Sequence, residues 1–373
     1  WTLDVNGNVN HFMIFDNPES GTAIAGGLAS QATTGDQNSQ STGLLPSWLG
    51  FTGTTRQNDL DVSFTISMQP GSAQTEAGTG GGATLPENRQ AFITFGDKSW
   101  GTVKIGKDLG IFGSDAILSD MTLLGVGSSP AGYGNGLTTT LGHIGTGYIY
   151  ADWQGQVSFT TPNMNGFQAT VGVMQPWKAI ETGTNASGTS TTTDHGYYGY
   201  EGKASYTASM GKVWVGFLQQ DLEAITSTPA RDAEATAYEI GVSGNAGNLG
   251  LVAYYYSGEG LGTTVKYRDA IDYTSGQERD SDGAFVQATY VIPSGTKLGV
   301  SYGRSDLDAV NTSDAGVAQN LVKRNEMWTV GAYHPLTKHL NLVAEYNDVT
   351  TESMGTAADN ESNSVSLGAI LFF

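Results

Sequence analysis

The last eleven residues, NSVSLGAILFF (363–373), carry apolar side chains at every second position. The apolar positions are Val365, Leu367, Ala369, Leu371 and Phe373. Successive side chains of a β-strand point to opposite faces, so this period of two predicts a strand with one apolar face. Chain ends of soluble proteins are usually polar and frayed. A terminal strand of this composition therefore raises the question of what its apolar face contacts.

The same alternation recurs along the chain in segments of roughly ten residues, which is typical of strands rather than helices. Between Asp59 and Met68, for example, Leu, Val, Phe, Ile and Met alternate with Asp, Ser and Thr, and 340–347 repeats this pattern. Sixteen strands are predicted, at 2–14, 47–53, 58–68, 88–95, 102–109, 148–160, 167–175, 197–208, 212–221, 235–244, 249–257, 283–292, 297–304, 326–335, 339–349 and 363–373.

The connections between these segments alternate strictly between short and long. Gly, Asn, Pro and Ser dominate the short ones, as hairpin turns require, and the longest of the others is 110–147. Outer-membrane barrels have short periplasmic turns and long extracellular loops, whereas a soluble sandwich has no reason to sort its loops by length. A sheet in lipid must close, and sixteen strands leave an aqueous channel.

These patterns predict an all-β fold: one transmembrane up-and-down antiparallel barrel of sixteen strands, a single domain over 1–373. The other interpretation is a soluble β-protein with inward apolar faces. Aromatic residues near strand ends would line the two membrane interfaces. They are Trp1, Trp100, Tyr148, Tyr256, Trp328 and Phe373.

Composition excludes several other classes of protein. There is no cysteine, so disulfides and thiol chemistry are absent. The formal charge of −19 argues against nucleic-acid binding, which needs a basic face. Mean hydropathy is −0.22, and no apolar run reaches the ~18 residues of a membrane helix.

Three stretches and the chain end resemble the general trimeric porins of Gram-negative bacteria. The stretches are SWLGFTG (47–53), NRQAFITFGDKSWGTVKIGKD (88–108) and VSFTTPNMNGFQATVGV (157–173), and the chain ends in Phe as family members do. Within that family, the long acidic chain looks like the dicarboxylate-type porins. The resemblance implies a homotrimer in the outer membrane, crossing it many times, in contact with lipid and lipopolysaccharide.

The resemblance also implies that loop 110–147 folds into the lumen as a constriction, its start IFGSDAILSD (111–120) forming a short helical turn. Asp115 and Asp120 would be its acidic residues, although both could equally be solvated loop acids. They would face a wall carrying Lys104, Arg89 and Lys203. Arg89 shares the parity of Ile93 and could instead face outward.

Three further positions follow from comparison with the family pattern. Trp48 stands where the family usually has an arginine, so it is expected at the constriction. Lys107 shares the outward parity of Ile105, and an outward charge is costly in lipid, which favours a subunit contact. Phe373 would be read as an assembly signal by the outer-membrane machinery.

The function predicted is passive diffusion of small hydrophilic solutes and ions through a water-filled pore, which would favour small organic anions such as dicarboxylates. No enzyme activity and no cofactor are expected. The acid clusters ERDSD (278–282) and ADNES (358–362) are candidates for weak Ca²⁺ binding or solvated loop charge. The alternatives are a barrel with a blocked lumen that acts as an adhesin or receptor, and a barrel enzyme.

Overall fold

The computed structural model describes residues 1–19, 21–30, 35–72, 87–129, 139–181, 189–190, 197–224, 231–272, 275–310 and 320–373. Sixteen long antiparallel strands form one sheet. They are β1 Thr2–Pro18, β2 Trp48–Gln57, β3 Leu60–Gln69, β4 Glu87–Asp97, β5 Gly101–Leu109, β6 Trp153–Thr160, β7 Phe167–Met174, β8 Gly199–Ala208, β9 Gly211–Ala224, β10 Arg231–Ala246, β11 Leu249–Glu259, β12 Asp280–Val291, β13 Lys297–Leu307, β14 Val322–Pro335, β15 Leu340–Ser353 and β16 Asn360–Phe372.

The sheet closes because β1 pairs with both of its neighbours. Its first residues, from Thr2, pair with β2, and its last residues, to Pro18, pair with β16. Gly7 and Phe373 exchange backbone hydrogen bonds of 3.0 Å in both directions at the seam. The prediction of a closed barrel of sixteen strands is confirmed.

The two faces of the barrel differ as the alternation predicts. In β16, Val365 and Leu367 are 43% and 48% exposed, whereas Ser366 between them is 0% exposed. Strand β15 behaves alike, with Leu342 and Tyr346 on the outside. An apolar outer surface on a closed sheet suits lipid, because every strand backbone is paired within the sheet. This answers the question raised by the terminal strand.

Several boundaries and aromatic positions differ from prediction. The turn predicted at 54–57 lies at Asn58 and Asp59, whose φ angles of 49° and 62° suit a tight hairpin. Strand β6 begins at Trp153 and not at 148, because Tyr148 and Ile149 pack inside the barrel. The interface position predicted for Tyr148 and Tyr256 is therefore wrong, since both are fully buried.

Other regular elements belong to the connections. A short strand, Gln37–Ser41, extends the sheet along β1, and a second hairpin joins Ile180–Glu181 to Thr189–Ser190. Helix α1 covers Ser114–Ser119 and is followed by a 3₁₀ turn at Met121–Leu124. In the described part of the chain, no helix has the length and apolarity needed to cross a membrane.

Candidate functional site

The connection between β5 and β6 (110–152, here called loop 3) is bonded to side chains on the inner face of distant strands. Glu201 of β8 accepts hydrogen bonds of 2.8 Å from the backbone N–H groups of Ile111 and Phe112. Glu239 of β10 accepts one of 2.9 Å from Gly113. Both glutamates lie on the parity opposite to exposed outer side chains such as those of Tyr200 and Tyr238, so loop 3 contacts the inner wall.

Further along, loop 3 follows the same wall around the barrel. Gln287 of β12 accepts from the Met121 N–H at 2.6 Å. Glu345 of β15 accepts from the N–H groups of Val126 and Gly127 at 2.8 and 2.9 Å. On its return the loop places the His143 imidazole 2.7 Å from the Ser301 hydroxyl of β13. These contacts hold the described part of loop 3 against β8 to β15.

Aromatic side chains fill the space behind the loop. The Tyr148 ring of loop 3 packs edge-on against Phe285 of β12, with centroids 5.6 Å apart. Tyr254 lies 6.0 Å from the same ring and donates to Glu239 at 2.7 Å. Trp214 and Tyr256 complete a buried layer. Loop 3 and this aromatic layer therefore lie against the inner faces of strands between β8 and β15.

The inner wall on β2 to β7 carries many hydroxyl groups. Pairs of Ser and Thr face each other on neighbouring strands: Thr52 with Thr65 at 3.2 Å, Ser63 with Thr94 at 2.5 Å, and Thr160 with Thr170 at 3.0 Å. Among the described residues, the side-chain hydrogen bond between loop 3 and β2 to β4 is the one that joins Arg89 to the Tyr150 hydroxyl. This wall is the polar surface that a solute in the lumen meets.

Lys104 lies on this wall, as its parity predicts, and its acid partner is close by. Its ammonium group bonds the Asp108 carboxylate four residues further along β5 and lies 4.9 Å from the centre of the Phe92 ring. Gln90 donates to the same carboxylate at 2.8 Å. The Lys104 side chain is 31% exposed and that of Asp108 only 9%, so the lumen meets the ammonium group first.

Asp115 and Lys203 are in direct contact and do not face each other across a gap. Their charged atoms are 3.0 Å apart, and Lys212 of β9 bonds the other carboxylate oxygen. Burial opposes ionisation of Asp115, but the charges of Lys203 and Lys212 outweigh it and lower its pKa from the ordinary aspartate value. Two lysines therefore share one carboxylate. No sequence pattern distinguished Lys212, which follows a short turn.

Asp120 is placed inside loop 3 and not at its surface. It is buried and accepts from the Thr122 N–H at 2.8 Å and the Tyr148 hydroxyl at 2.8 Å. The His143 N–H donates to it at 3.2 Å. Its carboxylate shapes the loop, so it does not belong with the pore acids.

Arg89 and Trp48 are separate from these charges. Arg89 follows a register irregularity between β3 and β4, so the alternation does not assign its face. It is buried, at 8% exposure against 49% for Ile93. Its guanidinium donates to Glu87 at 2.8 Å and to the Tyr150 hydroxyl at 3.4 Å, at the base of loop 3 and not beside Lys104. Trp48 pairs with Asn8, which lies on the inner parity, so its indole lies on the inner face of β2.

Lys107 lies on the outer face of β5, as its parity predicts. Its ammonium group donates to the Asn88 carbonyl at 2.9 Å and is exposed. Within the ranges that the structure describes, no group of three or more His, Asp or Glu residues has the arrangement of a metal site.

The chain resembles known proteins both in sequence and in fold. A family model described as Gram-negative porin matches residues 19–353. Among solved structures, the outer membrane channel DcaP of Acinetobacter baumannii superposes with a TM-score of 0.72 at 14% identity, over 100% of this chain and 97% of that one. An anion-selective porin from Comamonas acidovorans gives 0.68 at 16%, over 100% and 99%. OmpF of Salmonella typhi, in complex with daunomycin, gives 0.63 at 14%, over 100% and 97%.

No curated protein matches the chain significantly. The low identities establish the shared fold, and the family model covers most of the chain. The chain therefore belongs to the Gram-negative porins, outer-membrane channels for the passive diffusion of solutes.

Proposed function

We propose that the lumen is an open pore with a mild preference for small organic anions, and that Lys104, Lys203 and Lys212 produce it. The observation that carries this proposal is the geometry of the ion pairs. Each lysine side chain is more exposed than the carboxylate that it contacts, at 22% and 30% for Lys203 and Lys212 against 10% for Asp115. Because two ammonium groups share one carboxylate, the cluster of Lys203, Lys212 and Asp115 has a net positive charge.

A carboxylate solute passing this surface gains charge-assisted hydrogen bonds from ammonium groups, while the hydroxyl wall opposite accommodates its polar remainder. The overall acid excess, 36 Asp and Glu against 17 Lys and Arg, does not decide the preference. Exposed loop charges beyond the Debye length of about 8 Å at physiological salt are screened from the lumen.

Reversal potentials across a planar bilayer test this proposal. The parent channel is compared with Lys203→Met combined with Lys212→Met, in gradients of chloride and of carboxylates of increasing size. The double variant is expected to move the reversal potential toward cation preference. Lys323→Met, which removes a charge from an outer-surface pair 3.5 Å from Glu352, is the matched control.

Two outcomes would contradict the proposal in different ways. A parent barrel that passes no ions in steps would favour the receptor with a blocked lumen. A double variant that shifts the potential no more than Lys323→Met would leave the pore open but place its selectivity elsewhere. Lipid or peptide turnover would indicate the barrel enzyme, whereas this proposal involves no catalysis and no cofactor.

We propose, in addition, a homotrimer that buries the outer face of β1 to β5 and β16. Polar groups on this face support it. The exposed His11 imidazole of β1 lies 3.0 Å from the Gln40 amide oxygen and 2.8 Å from the Ser72 hydroxyl, and Lys107 is exposed on β5 at the other end of this face. Protein neighbours can satisfy such groups where hydrocarbon cannot.

The outer face of β13 to β15 supports a different partner, the head groups of lipopolysaccharide. At the ends of these strands nearest the long loops, Arg324 pairs with Asp306 at 2.5 Å and with Glu352 at 3.3 Å. Arg304 lies 3.3 Å from the same Asp306. Cationic side chains at this level of the barrel suit phosphate groups, and the acids suit the divalent ions that accompany them.

A further inference from the structure

The connection between β11 and β12 (260–279, here called loop 6) is buried to an unusual degree for an external loop. Its ends meet, since the Gly260 N–H donates to the Arg279 carbonyl at 3.0 Å. Between them, the described side chains include a series that is almost inaccessible to solvent: Leu261, Thr263, Thr264, Lys266, Tyr267, Asp269, Ala270, Ile271 and Asp272. Loops normally lie on the surface, so this burial requires a reason.

Loop 6 reaches the inner face of strands far from its own. Lys266 bonds the Glu201 carboxylate of β8 at 2.5 Å, and the two side chains are 0% and 2% exposed. Strand β8 lies three strands from β11, about 14 Å at ~4.8 Å per strand. Gln154 of β6 donates to the same carboxylate oxygen at 2.8 Å. The loop therefore reaches along the inner wall as far as the glutamate that β8 and β6 share.

The same glutamate also holds loop 3. One carboxylate oxygen of Glu201 accepts from Lys266 and Gln154, and the other accepts from the N–H groups of Ile111 and Phe112. Removing one partner from a buried ion pair leaves an uncompensated charge, which is strongly destabilising. The positions of both loops are thus coupled through one side chain of the wall.

Backbone hydrogen bonds join loop 6 to two other loops. The Tyr150 N–H of loop 3 donates to the Thr264 carbonyl at 2.9 Å. The Ile180 N–H donates to Tyr267 at 3.0 Å, and the Asp269 N–H donates back to Ile180 at 2.6 Å. Gly145 of loop 3 lies so close that an added Cβ would stand 2.7 Å from the Thr264 hydroxyl. Loop 6 is therefore packed directly against the return arm of loop 3.

We propose that loop 6 is a second constriction element, which narrows the mouth above loop 3 and sets the upper size of solutes that enter. Glu201 and Lys266 act as positioning residues for this element. The inference rests on the proposed open pore, and it adds the part of the barrel that sets the size limit for solutes. Charge preference belongs to the lysines below; size exclusion belongs to the two interlocked loops.

The test measures the size limit for neutral solutes, which the lumen charges do not affect. Channels in vesicles are challenged with saccharides of increasing length, and uptake is followed by osmotic swelling. In one variant, residues 261–278 are replaced by a turn of about four residues, which the contact between Gly260 and Arg279 allows. In the second, Lys266→Met removes the ion pair between loop 6 and the wall, while Glu201 keeps two N–H donors from loop 3 and one from Gln154.

Both variants are expected to admit saccharides at least one unit longer than the parent admits. Lys323→Met, the same chemical change in an exposed outer pair, should keep the parental limit. The yield of heat-modifiable barrel is measured in parallel, because poor folding lowers the number of channels and not the size limit of each one.

A shortened loop that keeps the parental limit would overturn the inference. A parent that passes nothing, with a shortened loop that conducts, would support loop 6 as an obstruction and contradict the open pore instead. The two proposals therefore fail in distinguishable ways.

Discussion

Asp115 has two lysine partners. This ratio of two cations to one carboxylate matters more for the ion selectivity of the lumen than the net charge of the chain does. The carboxylate is mostly buried, while Lys203 and Lys212 keep about a quarter of their side chains accessible. Lys104 has a similar relation to Asp108. Each of these ion pairs therefore exposes its ammonium group to the lumen more than its carboxylate. Single substitutions can change the charge of this surface.

Asp115→Asn is expected to raise anion permeability, because it frees two ammonium groups.

Lys104→Glu is expected to lower anion permeability, because it replaces a cation of the inner wall with an anion. A unit charge about 4 Å from an ion in water contributes roughly 1 kcal/mol, which corresponds to about a fivefold change in the permeability ratio. Reversal potentials in a salt gradient measure both effects.

Asp359→Asn provides the control for these two variants, since Asp359 is an exposed loop acid. It should produce only a small, salt-screened change. An equal shift from Asp359→Asn and Lys104→Glu would show that the filter does not lie on the inner wall.

At the scale of elements, loop 3 is held by carboxylates that accept backbone N–H groups. Glu201, Glu239 and Glu345 come from three strands and bind the loop at Ile111–Gly113 and Val126–Gly127. Hydrogen bonds to charged groups contribute about 1.5–3 kcal/mol each. The sequence could not indicate them, because the partners are 89 to 219 residues apart.

His143 makes the return arm of loop 3 sensitive to pH. Its Nδ1 lies 3.1 Å from the Thr146 carbonyl, which can only accept, so Nδ1 carries the proton and Nε2 accepts from Ser301. Burial lowers the pKa of His143, and this outweighs the opposing effects of Asp120 and Thr146. The folded loop therefore favours the neutral ring.

The native state should thus lose stability as pH falls below about 6.5, where an unfolded histidine gains its proton first. The loss is at most about 1.4 kcal/mol per pH unit, and it ends below the lowered pKa. Unfolding temperatures measured from pH 8 to pH 4 report this loss of stability. His143→Gln should remove this part of the pH dependence of the unfolding temperature, whereas His339→Gln, at an exposed turn, should keep it. The same pH dependence in the parent and both variants would contradict the role given to His143.

At the scale of the whole molecule, the seam between β1 and β16 completes the barrel. Phe373 exchanges two backbone hydrogen bonds with Gly7, and its ring covers Gly7 so closely that an added Cβ would lie 2.7 Å away. An open edge in lipid leaves unpaired backbone groups at several kcal/mol each. The closing residue is therefore expected to matter for assembly.

Deleting Phe373 should reduce the amount of heat-modifiable barrel in the membrane several-fold, whereas Phe373→Tyr should leave it near the parental amount. The two backbone hydrogen bonds to Gly7 support this expectation. Gel mobility with and without heating provides the measurement. Parental amounts of barrel from the deletion would refute it.

The trimer depends on the outer face of the early strands, so Lys107→Glu is expected to weaken subunit association without opening the barrel. The particle mass in mild detergent gives the result. Lys323→Glu makes the same charge change on the outer face of β14, away from the proposed contact. A parent that is monomeric, or two variants of equal mass, would count against this interface.

The sequence by itself determined the strands and the face that most of their residues occupy, while the narrowing of the lumen by the loop 110–147 stays a prediction. The strands and their faces follow from alternation and turn residues, which are local properties. Local reasoning also assigned Lys104 to the inner face and Lys107 to the outer face correctly. It misplaced Tyr148, because a loop that folds inward buries residues that would otherwise extend a strand.

Only the tertiary structure decided which charges meet. Asp115 was expected to face Lys203 across the lumen, but the loop course brings them into contact and adds Lys212, which is 97 residues away. Lys266 and Glu201, 65 residues apart, were not expected to meet at all. A closed barrel turns the inner face of every strand toward one lumen, so the contacts there depend on the paths of the loops and not on local pattern.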